Sequence, residues 1–125
     1  MKTNKEILDE FGKILVQESF DNQYKFILNK VDDLSETEEY KNLFQNMSSS
    51  GKKEIEKYTR EILKGVLFDF MRIFEENEQF KLYYEKNDQK ANMMEISEML
   101  KAEPIIENGW IERFSKELNK DKNSQ

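Results

Sequence analysis

Residues 52–77 read KKEIEKYTREILKGVLFDFMRIFEEN, and the spacing of apolar side chains in this stretch decides the fold class. Ile55, Tyr58, Thr59, Ile62, Leu63, Val66, Leu67, Phe70, Met71, Ile73 and Phe74 recur at steps of three and four. That period returns side chains to one face of an α-helix. At about 100° per residue they fill roughly half of the circumference, a wider arc than a surface helix buries. The expectation is therefore a long central helix over 52–77, with the arc from Ile62 to Phe74 enclosed by neighbouring segments. Phe68 falls on the far side among Lys57, Lys64, Arg72 and Glu75, which predicts a second packing layer there. Asp69, at the edge of the arc, has Arg72 three residues on as its partner. Ser48-Ser49-Ser50-Gly51 ahead of the helix is a turn signal, with Ser49 or Ser50 as the expected cap.

Towards the N-terminus, Thr3 and Glu6 have the capping-box spacing, and Ile7, Phe11, Ile14 and Leu15 follow at helical intervals. A helix over 3–20 is expected. Asp21 can start a second one carrying Tyr24, Ile27, Leu28 and Val31, and the two read as one bent helix. Asp32, Asp33, Glu36, Glu38 and Glu39 form an acidic run in which Ser35 and Glu38 repeat the box spacing ahead of Tyr40, Leu43 and Phe44. Acids at a helix start suit the positive end of its dipole, so the run needs no ligand to explain it.

Beyond Asn77 the period changes from helical to two. Phe80, Leu82 and Tyr84 alternate with Lys81, Tyr83 and Glu85, and Asn87-Asp88 is a turn signal, so a β-hairpin over 79–94 fits better than two short helices. Ile96, Met99 and Leu100 suggest a helix over 95–102 that Pro104 ends. Trp110, Ile111, Phe114 and Leu118 restore helical spacing to about 119, and residues 120–125 are a polar tail. The predicted fold is mainly α: one domain, 1–119, a helical bundle around the long helix with one small hairpin.

Composition removes whole classes of chemistry. The chain has no Cys and no His, which excludes disulfides, thiolate nucleophiles, imidazole bases and the usual zinc sites. No cofactor and no catalytic residue is assigned. Twenty-six acids against 20 bases, of which three are Arg, argue against nucleic-acid binding. No apolar run is long enough to span a bilayer, and acids at Asp9 and Glu10 interrupt any leader-like stretch, so a cytoplasmic protein is expected. Seventeen Lys to three Arg, eleven Asn and two Ala is the bias of an AT-rich genome and points to a bacterial source.

Two stretches come near known chemical motifs. Asn46 to Lys53 resembles a phosphate-binding loop but lacks its first Gly and its metal-binding hydroxyl. Magnesium held by Glu-x-x-Glu pairs on two helices would make the chain a helical hydrolase, the alternative reading. The pairs Glu36/Glu39, Glu75/Glu78 and Glu95/Glu98 are present, yet 19 Glu in 125 residues give about three such pairs by chance.

The segment 83–112 suggests a contact surface. Five Glu and one Lys lie between Ala91 and Glu112, interleaved with Met93, Met94, Met99, Ile105, Ile106 and Trp110. Apolar groups beside acids suit a basic partner, because the first supply burial and the second speed encounter. The partner-binding residues named on this basis are Tyr83, Tyr84, Glu95, Glu98, Glu103, Glu107 and Trp110. The expected function is a small acidic protein-binding module without enzymatic activity, of the immunity or antitoxin-like kind that neutralises a basic protein. A purely structural domain is the remaining alternative.

Overall fold

Thr3 Oγ1 accepts the Glu6 amide at 3.1 Å while Glu6 Oε1 accepts the Thr3 amide at 3.2 Å, the reciprocal pair that satisfies two free amides at a helix start. The bond from the Thr3 amide, with the Thr3 hydroxyl beside it, also holds the Glu6 carboxyl below its ordinary range. From this box grows α1 (Asn4–Leu15), in a computed structural model that describes residues 1–123, with side chains described through 120. A single wide π-turn, Val16–Phe20, carries the chain without a break into α2 (Asp21–Asn29). The two expected helices are thus one continuous run. Along it Gly12, Val16, Phe20 and Tyr24 are buried.

Short helices α3 (Val31–Ser35) and α4 (Lys41–Phe44) follow. The box expected at Ser35 and Glu38 is not used. Ser35 Oγ donates to the Asp32 carbonyl at 2.6 Å, closing α3, and Thr37 Oγ1 accepts the Tyr40 amide at 3.3 Å ahead of α4. The long helix is α5 (Ser49–Glu76), 28 residues. Its cap is Ser48, one residue before the expected serines, with Oγ accepting the Gly51 amide at 3.0 Å.

The hairpin is present as β1 (Tyr83–Lys86) and β2 (Gln89–Asn92), antiparallel, with Tyr83 opposite Asn92 and Lys86 opposite Gln89. Asn87 and Asp88 turn it at φ of 51° and 64°, left-handed angles that these side chains tolerate. Gln89 ties the hairpin to the N-terminus, accepting from the Lys2 amide at 3.0 Å and donating to the Lys2 carbonyl at 2.8 Å. The helix expected over 95–102 is split into α6 (Met93–Ile96) and a 3-10 turn, Leu100–Ala102. The last expected helix is also two, α7 (Trp110–Phe114) and α8 (Lys116–Asn123). Residues 120–123 are therefore helical instead of tail, and 124–125 lie outside the described residues.

The break at Ser115 has a cause in the core. Asp21, 2% exposed, accepts Ser115 Oγ at 2.6 Å and the Lys116 amide at 2.8 Å, so a buried carboxylate caps α8 from a helix 94 residues away in sequence. Ile7, Val16, Phe20, Met71, Met93, Leu100 and Ile111 form one buried cluster with Trp110. Trp110 lies against Gly12 and meets Phe11 edge-on at 5.6 Å.

One expectation fails. The arc from Ile62 to Phe74 is not enclosed: Tyr58, Ile62, Val66, Phe70 and Ile73 are 62%, 47%, 57%, 49% and 45% exposed. The wall that faces the core is instead Leu63, Leu67 and Met71 with Phe68 beyond them, which turns α5 by about a quarter of a turn from the expected orientation. The second layer predicted at Phe68 is there. Lys101 sits 5.6 Å above its ring and 3.2 Å from Glu75, joining α5 to the 3-10 turn. On the same side Arg60 covers the Tyr24 ring at 5.7 Å, joining α5 to α2. Asp69 is exposed and pairs with Arg72 at 3.4 Å as expected. Among the described residues no helix is long and apolar enough to cross a membrane.

Candidate partner-binding surface

The chain between α6 and α7 is irregular yet tightly tied. Asn92 Oδ1 accepts the Met94 amide at 3.0 Å to start α6. Leu100, Ala102 and Pro104 are buried, pinning the middle of the segment to the core. Backbone bonds then fold it on itself: the Glu103 amide donates to the Met99 carbonyl at 3.2 Å, and the Trp110 amide donates to the Glu103 carbonyl at 2.8 Å. Ile111 donates to the Pro104 carbonyl at 3.1 Å. Asn108 adopts φ 59°. Gly109 has no room for a side chain, since a Cβ there would lie 2.7 Å from the Ile106 carbonyl oxygen and also clash with that of Glu103. Ser97 Oγ donates to Glu103 Oε1 at 3.0 Å and braces the same turn.

This frame holds two knuckles outward. Met99 is 56% exposed in one, and Ile105 and Ile106 are 38% and 46% exposed in the other. Next to them Glu98 and Glu107 are exposed, as is Glu95. Among the described residues none of these three acids has an ion pair. The one base of the segment, Lys101, is turned inward to Glu75. A rigid loop carrying apolar side chains and free carboxylates can present both without ordering itself on contact.

The residues expected from the sequence divide. Glu98 and Glu107 lie on this loop surface and Glu95 just before it, on α6, whereas Glu103 is half-buried and engaged with Ser97. Tyr83 stands on the hairpin with Lys90 4.6 Å above its ring, and it lines a cleft of about 720 Å³ together with Glu95. Tyr84, its neighbour, points to the other face of the strand, half-buried beneath Lys2 at 5.9 Å. Trp110 has no exposed surface at all and belongs to the core. Its place in the surface is taken by Met99, Ile105 and Ile106. The available signal was Pro104 on one side and Asn108-Gly109 on the other, which confine the two isoleucines to a turn too short to bury both.

Below the loop a notch of about 500 Å³ is lined by Lys5, Asp9, Glu103, Asn108 and Arg113 among others. Burial pushes the Asp9 carboxyl up, but hydrogen bonds from Lys5 and Arg113, each at 3.0 Å, outweigh it and hold the group below its ordinary value. Among the described residues no three carboxylates converge on a point that could hold an ion. No protein-family model, no curated protein and no solved structure matches the chain.

Proposed function

We propose that the chain is a protein-binding module that captures a basic partner on the loop between α6 and α7, acting in the bacterial cytoplasm as an immunity or antitoxin-like protein does. The observation that carries this reading is the pairing of Met99, Ile105 and Ile106, exposed on a braced loop, with Glu95, Glu98 and Glu107, which have no internal counter-charge among the described residues. The apolar groups supply burial free energy at the centre of a contact. The carboxylates steer a positively charged protein to it, an effect that salt weakens. An excess of 26 acids over 20 bases adds to the same field.

The test is capture from the native cytosol on immobilised protein, repeated with an Ile105→Ser/Ile106→Ser double variant and with Glu98→Lys/Glu107→Lys. A basic protein should be held by the wild type, lost with the serine pair, and bound more slowly with the lysine pair. Retention of the same protein by both variants would place the contact elsewhere, and an acidic ligand would sink the electrostatic reasoning.

A further inference from the structure

Where α1 runs into the π-turn, it meets the junction of α7 and α8 across an open cleft of about 570 Å³. Four bases line this cleft, Lys13 from α1, Arg113 from α7, and Lys116 and Lys120 from α8, and no acid does. The chain as a whole carries a net charge of -6, so the cleft gathers the sign that the rest of the molecule lacks. It shares no residue with the loop at 95–107.

The acids nearest the cleft leave two of the bases over. Arg113 is taken by Asp9 at 3.0 Å and by the Asn108 carbonyl at 2.8 Å. Lys120 is taken by both oxygens of Glu117 at 3.1 Å, and Lys25 lies 3.8 Å from the same carboxylate. Asp21 lies beneath the floor, but its oxygens accept neutral donors, the Ser115 hydroxyl and the Lys116 amide. Lys13 and Lys116 are exposed and have no ion pair among the described residues. Nor does helix electrostatics account for them. Lys116 opens α8, where a cation opposes the dipole, and Lys13 stands in the last turn of α1, which continues into the π-turn without a free end.

The rest of the lining suits an anionic guest. Gln17 and Asn119 are anchored by donating to the Phe114 carbonyl at 3.1 Å and the Glu112 carbonyl at 3.4 Å, and each carboxamide keeps a second hydrogen to give. The Phe114 ring, half-buried with the Arg113 guanidinium 4.7 Å from its centre, supplies an apolar wall. A phosphate monoester carries close to two negative charges and three strong acceptor oxygens, which two ammonium groups and two amides can share as charge-assisted bonds. The volume is that of a small-molecule site and exceeds what a bare ion fills.

We propose that the cleft binds a small phosphomonoester, its phosphate between Lys13 and Lys116 and its apolar body against Phe114. Phenyl phosphate is the probe, titrated into the full chain labelled with nitrogen-15, in phosphate-free buffer at low salt. Amide shifts should saturate and concentrate at 13–17 and 113–119. Lys13→Gln/Lys116→Gln should weaken binding about tenfold or more with unchanged circular dichroism, whereas Lys57→Gln/Lys86→Gln, the same loss of charge at exposed lysines elsewhere, should not. Methyl phosphate should bind more weakly than phenyl phosphate. Affinity should rise through about pH 6, where the phosphate takes its second charge and lysine does not titrate. Phosphatidylcholine vesicles containing phosphatidate separate a lipid headgroup from a soluble ester: the protein should stay in the supernatant, and sedimentation that Lys13→Gln/Lys116→Gln abolishes would support the site with a lipid as its source. No saturable shift up to about 10 mM phenyl phosphate, or an equal loss in both double variants, overturns the proposal and leaves the four bases as counter-charges to Asp9, Asp21 and Glu117.

Discussion

Replacing Gly12 by alanine and replacing Gly65 by alanine are the same chemical change in two helices, and the structure gives them opposite signs. In a helix interior the change contributes up to about 1 kcal/mol through backbone entropy. At Gly65 nothing opposes it, because the added methyl meets open space. At Gly12 the methyl would lie 2.5 Å from Cδ1 and Cδ2 of Trp110, whereas carbon atoms rest at about 3.5–4.0 Å. Ring and helix must separate by about 1 Å. Trp110 has no exposed surface through which to yield, so overpacking of about 1–3 kcal/mol or more outweighs the helix gain. A net loss of about 1–2 kcal/mol lowers the melting temperature by roughly 4–10 °C in a chain of this size, while Gly65→Ala raises it by roughly 2–4 °C. Thermal melts by circular dichroism measure both. The chain has one tryptophan, so its emission reads the site directly: Gly12→Ala should shift it to the red and Gly65→Ala should leave it unchanged. If Gly12→Ala is as stable as Gly65→Ala with the same emission, Trp110 is not packed on α1.

Other outcomes follow from the same contacts. Asp21→Ala leaves the Ser115 hydroxyl and the Lys116 amide without their acceptor, and a loss of about 2–3 kcal/mol is expected by denaturant titration. Asp9 titrates below its ordinary value of 3.8 in the folded chain. The ionised form therefore stabilises the fold above that value, and the contribution disappears as pH falls through the lower folded value. Asp9→Asn should be about 0.5–1 kcal/mol less stable at neutral pH, with the difference closing as pH falls below about 4, and a gap that persists in acid would contradict the Lys5 and Arg113 bonds. Asn108→Val forces a β-branched residue to the left-handed angles of the loop and should be less stable by about 1–2 kcal/mol, where Asn108→Gly is neutral.

Helix content, the capping box at Thr3 and Glu6, the hairpin turn at Asn87-Asp88 and the Asp69–Arg72 pair were all legible, because each is set within a few residues. The facing of α5 was not. Its apolar residues span half of the circumference, and periodicity alone cannot say which part of so wide an arc the rest of the chain covers. The answer depended on Arg60 and Glu75, polar residues whose partners, Tyr24 and Lys101, lie on other elements. For the candidate surface the composition of 95–107 pointed to the right segment and the wrong anchor. Trp110 follows Gly109 at a helix start and is drawn inward by Gly12, a contact between residues 98 positions apart that no local pattern encodes.

The wide turn at Val16–Phe20 implies slack in the chain. A π-turn holds one residue more than the regular helix through the same space, so α1 and α2 would keep their facing if that residue were removed. Deleting Glu18, which is exposed, should leave a shorter, straighter spine with Phe20 and Tyr24 still turned inward. Within α1 itself the same excision would swing everything downstream by more than a quarter of a revolution. The molecule thus carries one spot where losing a codon is survivable, set in the middle of a helix where such losses are ordinarily ruinous.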